Sequence, residues 1–375
     1  MYNKKIKAAA DRVQSTFSAL GRVVVGRSQI IRQALYATVT GQHLLMEGPP
    51  GVAKSHMVLQ LFKVLQGCKT FKVQCTKKMT EDYLVGPLDM RLFREQGLFV
   101  HRTEGMLPDS HMAFIDEIMD LNSGALRALL EVLNERTFTR GLQRVQAPLH
   151  TAFATTNFNR DGEEELSAVL DRFLFRAQVK GLSRKEDKKR MLTSVQTEVP
   201  ALSWRDVRYL NRARQNVEIP ANLLDLYLDV CSGLSLTDRT LKKGLEVVRA
   251  CAVLNGRTTA RLTDLTALDT CYIVTNDRSS EQAFAKAFSP YHTAYQEHEA
   301  SVNLVLIENR LCYLERLIED ASDYEAIESA AIEAREAEAA ARHYGTHATA
   351  RIVSSITGQC KRIFERADYL FADCE

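Results

Sequence analysis

The stretch Gly48-Pro49-Pro50-Gly51-Val52-Ala53-Lys54-Ser55 stands directly behind the apolar run His43-Leu44-Leu45-Met46. A short buried strand feeding a glycine-rich turn, with Lys-Ser opening the next helix, is an arrangement that holds a nucleoside triphosphate. The turn's backbone N–H groups and the helix N-terminus would face the phosphates. Lys54 would reach the β/γ oxygens, and Ser55 would give an oxygen to Mg²⁺. The nucleotide-contacting run is taken on through His56. Ala53 stands where such loops usually place glycine, which is tolerable only if that position keeps φ negative.

A second set of residues falls where a phosphate loop needs it. Met112-Ala113-Phe114-Ile115 runs into Asp116-Glu117, so an apolar strand delivers two carboxylates to the carboxyl edge of a sheet. Asp116 would hold Mg²⁺, and Glu117 would polarise a water for in-line attack on the γ-phosphate. A third strand, His150 to Thr156, ends at Asn157. Its amide could hydrogen-bond the attacking water or the γ-phosphate, or Asn157 could simply open the turn that follows. Farther on, Arg172 precedes another apolar strand. It could act on a neighbouring subunit's γ-phosphate, with Arg176 as second candidate, or pair locally with Asp171.

These residues require a layered α/β scaffold. Strands are expected at His43–Met46, Phe71–Cys75, Ala113–Asp116, Thr151–Thr156 and Phe173–Val179, separated by helical stretches. That alternation is expected of a parallel sheet covered on both faces. The long segment between the second and third strands reads as a hairpin-bearing insert over Gly86–Arg102, turning at Glu95-Gln96-Gly97. A second hairpin is expected over Arg136–Val145. Both inserts mix basic and aromatic residues, which could grip a polypeptide, track a phosphate backbone, or merely pack the hairpins. From Gly181 the texture turns helical, with Ser183 as a plausible N-cap. Near the end, Leu304, Ile307, Leu311, Leu314 and Ile318 form one three-four stripe. Val353, Ile356, Cys360, Ile363, Ala367 and Leu370 form another. An antiparallel helical pair follows, broken at Tyr344-Gly345. The Ala/Glu-rich stretch Glu325–Arg342 reads as a solvated helix with little to bury, or as an acidic docking surface.

Composition narrows the classes. With 375 residues, 45% hydrophobic and 26% charged, the chain suits a globular protein of two or three domains. A formal charge of +2 commits to no polyanionic partner. No apolar run reaches the roughly 20 residues of a membrane span, and no apolar segment follows the N-terminal lysines as in a signal peptide. The eight scattered cysteines contain no Cys-x-x-Cys pair, as expected of reduced thiols in a cytoplasmic protein.

The phosphate loop, the acidic strand, the Asn157 strand and Arg172, in this order, resemble the AAA+ ATPases, and more narrowly the MoxR group. The narrower likeness rests on Val23-Val24-Val25-Gly26-Arg27, Glu81–Pro87, Glu104-Gly105-Met106-Leu107-Pro108 and Leu129–Phe138. Thr237-Asp238-Arg239 and Asn255-Gly256-Arg257 resemble the lid of the RavA branch. The resemblance implies an AAA+ core over 1–180 with two pore-directed hairpin inserts and a helical lid over 181–278. Residues 279–375 form a C-terminal helical extension that carries no recognised motif. It places Val25 and Gly26 near the adenine, makes Arg172 the trans-acting finger, and has Arg239 touch the nucleotide of its own subunit. ATP and Mg²⁺ are the implied cofactors. It further implies a homo-oligomeric ring, a hexamer, that remodels protein targets with a von Willebrand factor A domain partner. A nucleic-acid motor or loader of the same branch and a nucleotide-gated assembly switch are the alternatives, with the low net charge favouring peptide over nucleic acid.

Overall fold

The computed structural model describes residues 2–157, 169–193, 198–234, 236–272, 324–343 and 350–372, with isolated positions between 282 and 318. The chain divides into two compact units, 1–287 and 288–375. The first is built on a sheet of five parallel strands: β1 (Leu44–Glu47), β3 (Thr70–Gln74), β4 (Met112–Asp116), β7 (Thr151–Thr156) and β8 (Phe175–Gln178). Their spatial order is β3-β4-β7-β1-β8. All five expected strands are present, within two residues of their expected ends. At β8 the outermost expected residues, Phe173 and Val179, are buried, and the Val179 N–H extends the pairing with β1 by donating to the Glu47 carbonyl at 2.6 Å.

Period-two alternation sends the two faces of the sheet to different helices. On β7, Ala152 and Ala154 join Ile115 of β4 against Leu129, Val132 and Leu133 of α6 (Ser123–Glu135). Phe153 faces the other way and meets Phe62 of α3 (Lys54–Val64) edge-on, ring centroids 6.2 Å apart. Asn122 caps α6, its side chain accepting from the Ala125 N–H at 2.9 Å. This face of the core is why α6 exists as an amphipathic helix directly behind the acidic strand.

The N-terminal helices α1 (Tyr2–Val23) and α2 (Ser28–Thr40) pack with a helical layer that follows β8. That layer comprises α7 (Lys185–Thr193), α8 (Trp204–Gln215), α9 (Ala221–Ser232), α10 (Asp238–Leu254), a 3₁₀ turn over Leu262–Leu268 and the short α11 (Asp269–Tyr272). Two polar ties fasten it to α2. Gln33 Nε2 donates to the carbonyls of Arg176 and Thr270 at 2.9 and 2.8 Å. Arg32 meets Asp269 at 2.7 Å. Short strands β2 (Leu65–Gln66) and β9 (Leu202–Ser203) pair in parallel beside α1.

The first insert differs from its expectation. Residues 86–102 form no hairpin around Glu95-Gln96-Gly97; Met90–Gln96 is a helix, α5, which follows the short α4 (Asp82–Val85). Asp89 supplies the N-cap, accepting from the N–H groups of Arg91 and Leu92, and Gly97 closes the helix at φ 66°. A single antiparallel bridge, Leu88 to His101, and the ion pair of Arg102 with Asp89 draw the insert's ends together. The second insert is the expected hairpin, β5 (Thr137–Arg140) paired with β6 (Gln143–Gln146) through Gly141-Leu142. The two inserts are joined, because the Gln143 amide exchanges hydrogen bonds with the His101 backbone at 2.7 and 2.9 Å.

In the second unit, α12 (Tyr324–His343) packs against α13 (Ala350–Ala372). Leu304, Leu311, Leu314 and Ile318 share a buried cluster with Ile356, Cys360 and Ile363, so the described positions of both stripes pack into a core, while the Leu370 side chain lies outside the described residues. The Ala/Glu-rich stretch is not a solvated spacer. Ala330, Ala334 and Ala341 lie in the same cluster, because alanines four and seven residues apart let a neighbouring helix approach closely while Glu328 and Glu336 are exposed. The expected break at Tyr344-Gly345 lies outside the described residues. The described cysteines are all free thiols, and no helix among the described residues is long and apolar enough to cross a membrane.

Candidate nucleotide site

At the carboxyl edge of the sheet the phosphate loop leaves β1 and wraps toward α3. Gly48 is demanded by close approach: a Cβ there would sit 2.2 Å from the Val179 carbonyl oxygen. The Gly48 N–H donates to Thr156 O at 3.2 Å, fastening the loop's start to β7. Ala53, however, does not keep φ negative. It sits at φ 66°, ψ 25°, in the left-handed region, as the residue that opens α3. The loop's path into the helix overrides the preference of an L-residue, which carries about 1–2 kcal/mol of strain.

Lys54 is 6% exposed and turned inward. Its ammonium donates to Asn157 Oδ1 at 2.8 Å, to Pro49 O at 3.3 Å, and to the Gly48 carbonyl. Burial lowers its pKa, with Glu117 and Asp116 opposing. Ser55 Oγ lies 3.2 and 3.1 Å from the two Asp116 carboxylate oxygens. Thr155 Oγ1 donates to Asp116 Oδ1 and accepts from the Glu117 N–H at 3.0 Å. The Asn157 N–H in turn donates to Glu117 Oε2 at 2.9 Å. Lys54, Ser55, Asp116, Glu117 and Asn157 therefore form one hydrogen-bonded network. Glu117 adopts φ 56°, ψ 53°, a second strained position at the same edge. Its carboxyl pKa is raised by burial, partly offset by the Asn157 N–H and by Lys54. A half-buried carboxylate beside a cation can take a proton from a water.

The donor set suits a nucleoside triphosphate with Mg²⁺. A hydroxyl and a carboxylate side by side are hard oxygen ligands, and Mg²⁺ characteristically takes few protein ligands and completes its shell with phosphates and water. Val52 and Gly51 leave the turn open above, and Arg27 Nη2 reaches the Val52 carbonyl at 3.3 Å. Gly26 packs against the segment that leads into α7, where an added Cβ would meet Leu182 at 2.5 Å. Val25 is half-buried beside it. His56 is exposed and lies 3.4 Å from Gln60 on its own helix, away from the Lys54 network.

The arginines fall elsewhere. Arg172 Nη1 and Arg239 Nη1 both meet the same oxygen, Asp171 Oδ2, each at 2.7 Å. The local pairing of Arg172 with Asp171 is thus real, but Asp171 also gathers Arg239. Arg239, expected at its own subunit's nucleotide, pairs with Asp171 beside Arg172. Arg176 is turned inward, donating to the carbonyls of Leu170 and Phe173 at 2.7 and 3.3 Å, with burial lowering its pKa. The turn expected after Asn157 lies outside the described residues.

Sequence reasoning missed Thr155 and Leu142. Thr155 was legible as a hydroxyl one residue short of a strand's end. Leu142, 92% exposed in the hairpin turn, carried the signal of an apolar residue where glycine-adjacent turns are polar. Among the insert residues with apparent grip, Phe138 is fully buried, Arg140 is held by Glu81 and Glu131 at 2.8 and 3.0 Å, and Arg102 is held by Asp89. Phe93 stacks on Phe99, centroids 4.8 Å apart.

Comparison with known proteins bears on the family and the fold. Residues 11–203 match the family model described as the MoxR domain in the MoxR-vWA-beta-propeller ternary systems, and residues 223–282 match an AAA lid domain. Two uncharacterised proteins of Methanocaldococcus jannaschii are each 32% identical, over 246 and 253 residues. These matches cover 64% and 66% of this chain and 64% and 67% of the relatives, so the chain spans about two thirds of their length. A Mycobacterium tuberculosis protein named Chaperone MoxR1 is 32% identical over 171 residues, 44% of each chain. A crystal structure of a candidate ATPase from Cytophaga hutchinsonii superposes with a TM-score of 0.61 at 20% identity. It covers 76% of this chain and 96% of that one, a likeness of fold. With its parallel sheet, helical lid and phosphate-loop network, the chain belongs to the MoxR family of AAA+ ATPases.

Proposed function

We propose that the chain hydrolyses ATP and uses the cycle to remodel protein targets, working as a ring of identical subunits. The observation that carries this reading is the single network joining Lys54, Ser55, Asp116, Glu117 and Asn157 at the sheet's carboxyl edge. Lys54 binds the β/γ oxygens, and Ser55 with Asp116 holds Mg²⁺. When bound, the metal neutralises charge on those oxygens. Glu117 accepts a proton from water as the water oxygen bonds to the γ-phosphorus and the bond to the ADP oxygen breaks. Asn157 fixes Glu117 through its N–H and Lys54 through its amide oxygen, so both groups respond to the same strand end.

Arg239 serves the nucleotide of its own subunit from the lid, while Arg172, paired with Asp171, acts on the nucleotide of the adjacent subunit. A fixed guanidinium there stabilises charge on the transferring phosphoryl group, an effect of about 10³–10⁵ in rate. The hexamer and a von Willebrand factor A domain partner are the assembly this reading adopts, in keeping with the ternary systems after which the matched family model is described. Functionally the chain divides into a nucleotide core (1–180), a lid (181–278) and a C-terminal extension (279–375). Leu142, at the tip of the β5–β6 hairpin, gives the ring an apolar contact for polypeptide. The exposed basic residues of the inserts are few once ion pairs are removed, which favours peptide over nucleic acid there.

Mixed assemblies test the reading. Arg172→Ala protein and Glu117→Gln protein are each expected to turn over slowly. Their mixture should recover part of the parent rate, at interfaces that pair an intact Glu117 with an intact Arg172. No recovery at any ratio, with turnover per subunit independent of protein concentration, would return Arg172 to a structural role.

A further inference from the structure

The first unit carries a cleft of about 910 Å³ that no part of the proposed reaction uses. It lies at the opposite end of the sheet from the phosphate loop. An adjoining hollow of about 340 Å³, sharing Trp204, Arg208 and Arg212, is lined by His111 and His150. These residues precede β4 and β7, whereas the phosphate loop follows the far end of β1, and all three strands run parallel.

Two helices wall the cleft. One side is Lys5 and Arg12 of α1; the other is Arg205, Arg208 and Arg212 of α8. Each row spans seven residues, about 10.5 Å at helical rise. Arg205, Arg208 and Arg212 stand at i, i+3 and i+7, one side of their helix, and all three are exposed, as is Lys5. Arg12 places two guanidinium nitrogens on the Asp206 carboxylate, each at 2.7 Å, which fixes one wall to the other. Asp206 is the lining's single acid against five cations. Between the walls lie Ala8 and Ala9, small enough for another backbone to come close, and Trp204. Trp204 is 7% exposed and its indole N–H has no hydrogen-bond partner.

We propose that this groove docks an acidic amphipathic helix of a partner protein. An incoming helix has the same rise as α8, so carboxylates at i, i+3 or i+4, and i+7 stay in register with the arginine row. Each guanidinium can then take a carboxylate in a forked pair. Lys5 meets acids on the helix's other flank, and the helix's narrow apolar stripe rests on Ala8, Ala9 and the Trp204 edge, the helix-in-groove mode of recognition. A single nucleic-acid strand fits less well, since Trp204 is set into the wall and offers no open ring face on which a base could stack.

The test is fluorescence anisotropy with the full chain and four labelled probes. One is a helix-forming peptide of about 14 residues, four turns, with leucines at i, i+3 and i+7 flanked by glutamates. The others are the same peptide with glutamines, a short single-stranded DNA and a duplex of equal length. The glutamate peptide should bind, the glutamine peptide at least about ten-fold more weakly, and affinity should fall with added salt. Replacing Arg205, Arg208 and Arg212 together by alanine should lower glutamate-peptide affinity about ten-fold or more while leaving basal ATP turnover unchanged. Equal binding of the two peptides, binding indifferent to the three arginines, or tighter arginine-dependent binding of either DNA would overturn the proposal.

Discussion

Ala53→Gly isolates one conformational term at the phosphate loop. Ala53 is exposed and its side chain is a single methyl, so the substitution removes almost no packing. What it changes is the backbone: at φ 66° an L-residue carries about 1–2 kcal/mol that glycine does not. Glycine returns part of this through the larger entropy of its unfolded chain, about 0.4–1 kcal/mol. The net expectation is a gain near 1 kcal/mol, or about 2–4 °C in midpoint for a domain of this order of size. The reciprocal change, Gly51→Ala, sits at φ 81° with nothing within 4 Å of the new Cβ, so it should lose a similar amount for the same reason. Calorimetry of nucleotide-free protein reads both. A midpoint that is unchanged or lower in Ala53→Gly, with Gly51→Ala neutral, would refute the idea that the loop stores backbone strain.

Two further outcomes follow from buried ionisable groups. Because burial raises the Glu117 carboxyl above the ordinary glutamate value of 4.5, the acidic limb of ATP turnover should have its midpoint above that value and vanish in Glu117→Gln; a midpoint at or below 4.5 would contradict it. His150 is held at about 4 by burial, opposed by its bond to the Thr38 carbonyl and reinforced by Arg136 and Arg214. Its folded pKa lies below the unfolded value of about 6.5, so its contribution is fully present above pH 6.5 and is lost as pH falls toward 4. The size is about 3 kcal/mol at 1.36 kcal/mol per unit. Denaturant titrations of the parent and His150→Gln across that window should converge as pH falls; parallel curves would remove His150 from the acid sensitivity.

The sheet was legible because each buried strand is short, apolar and bounded by glycine or acid, and the phosphate loop because its residues have no packing rationale. The acidic pair was placed by the same pattern. What escaped were effects of tertiary context. Gly97 reads as a hairpin glycine, yet it serves as a left-handed helix cap behind an Asp89 N-cap. Ala330, Ala334 and Ala341 look too small to form a core, but small residues suit a face where helices meet closely. Ala53 violates a local preference at the site itself, where the loop's geometry is imposed from both ends. Arg239 could not be paired by sequence, since its partner Asp171 lies 68 residues away.

The most direct measurement compares ATP affinity and single-turnover hydrolysis in the parent chain and in Glu117→Gln. The variant keeps the phosphate loop, Lys54 and the Ser55–Asp116 pair, but an amide at 117 cannot accept a proton from water. ATP affinity should stay within a few-fold of the parent, while hydrolysis falls by about 10²–10⁴. Hydrolysis by bound Glu117→Gln protein at close to the parent rate would contradict the assignment of Glu117 as the base, and with it the account of the network as a hydrolytic site.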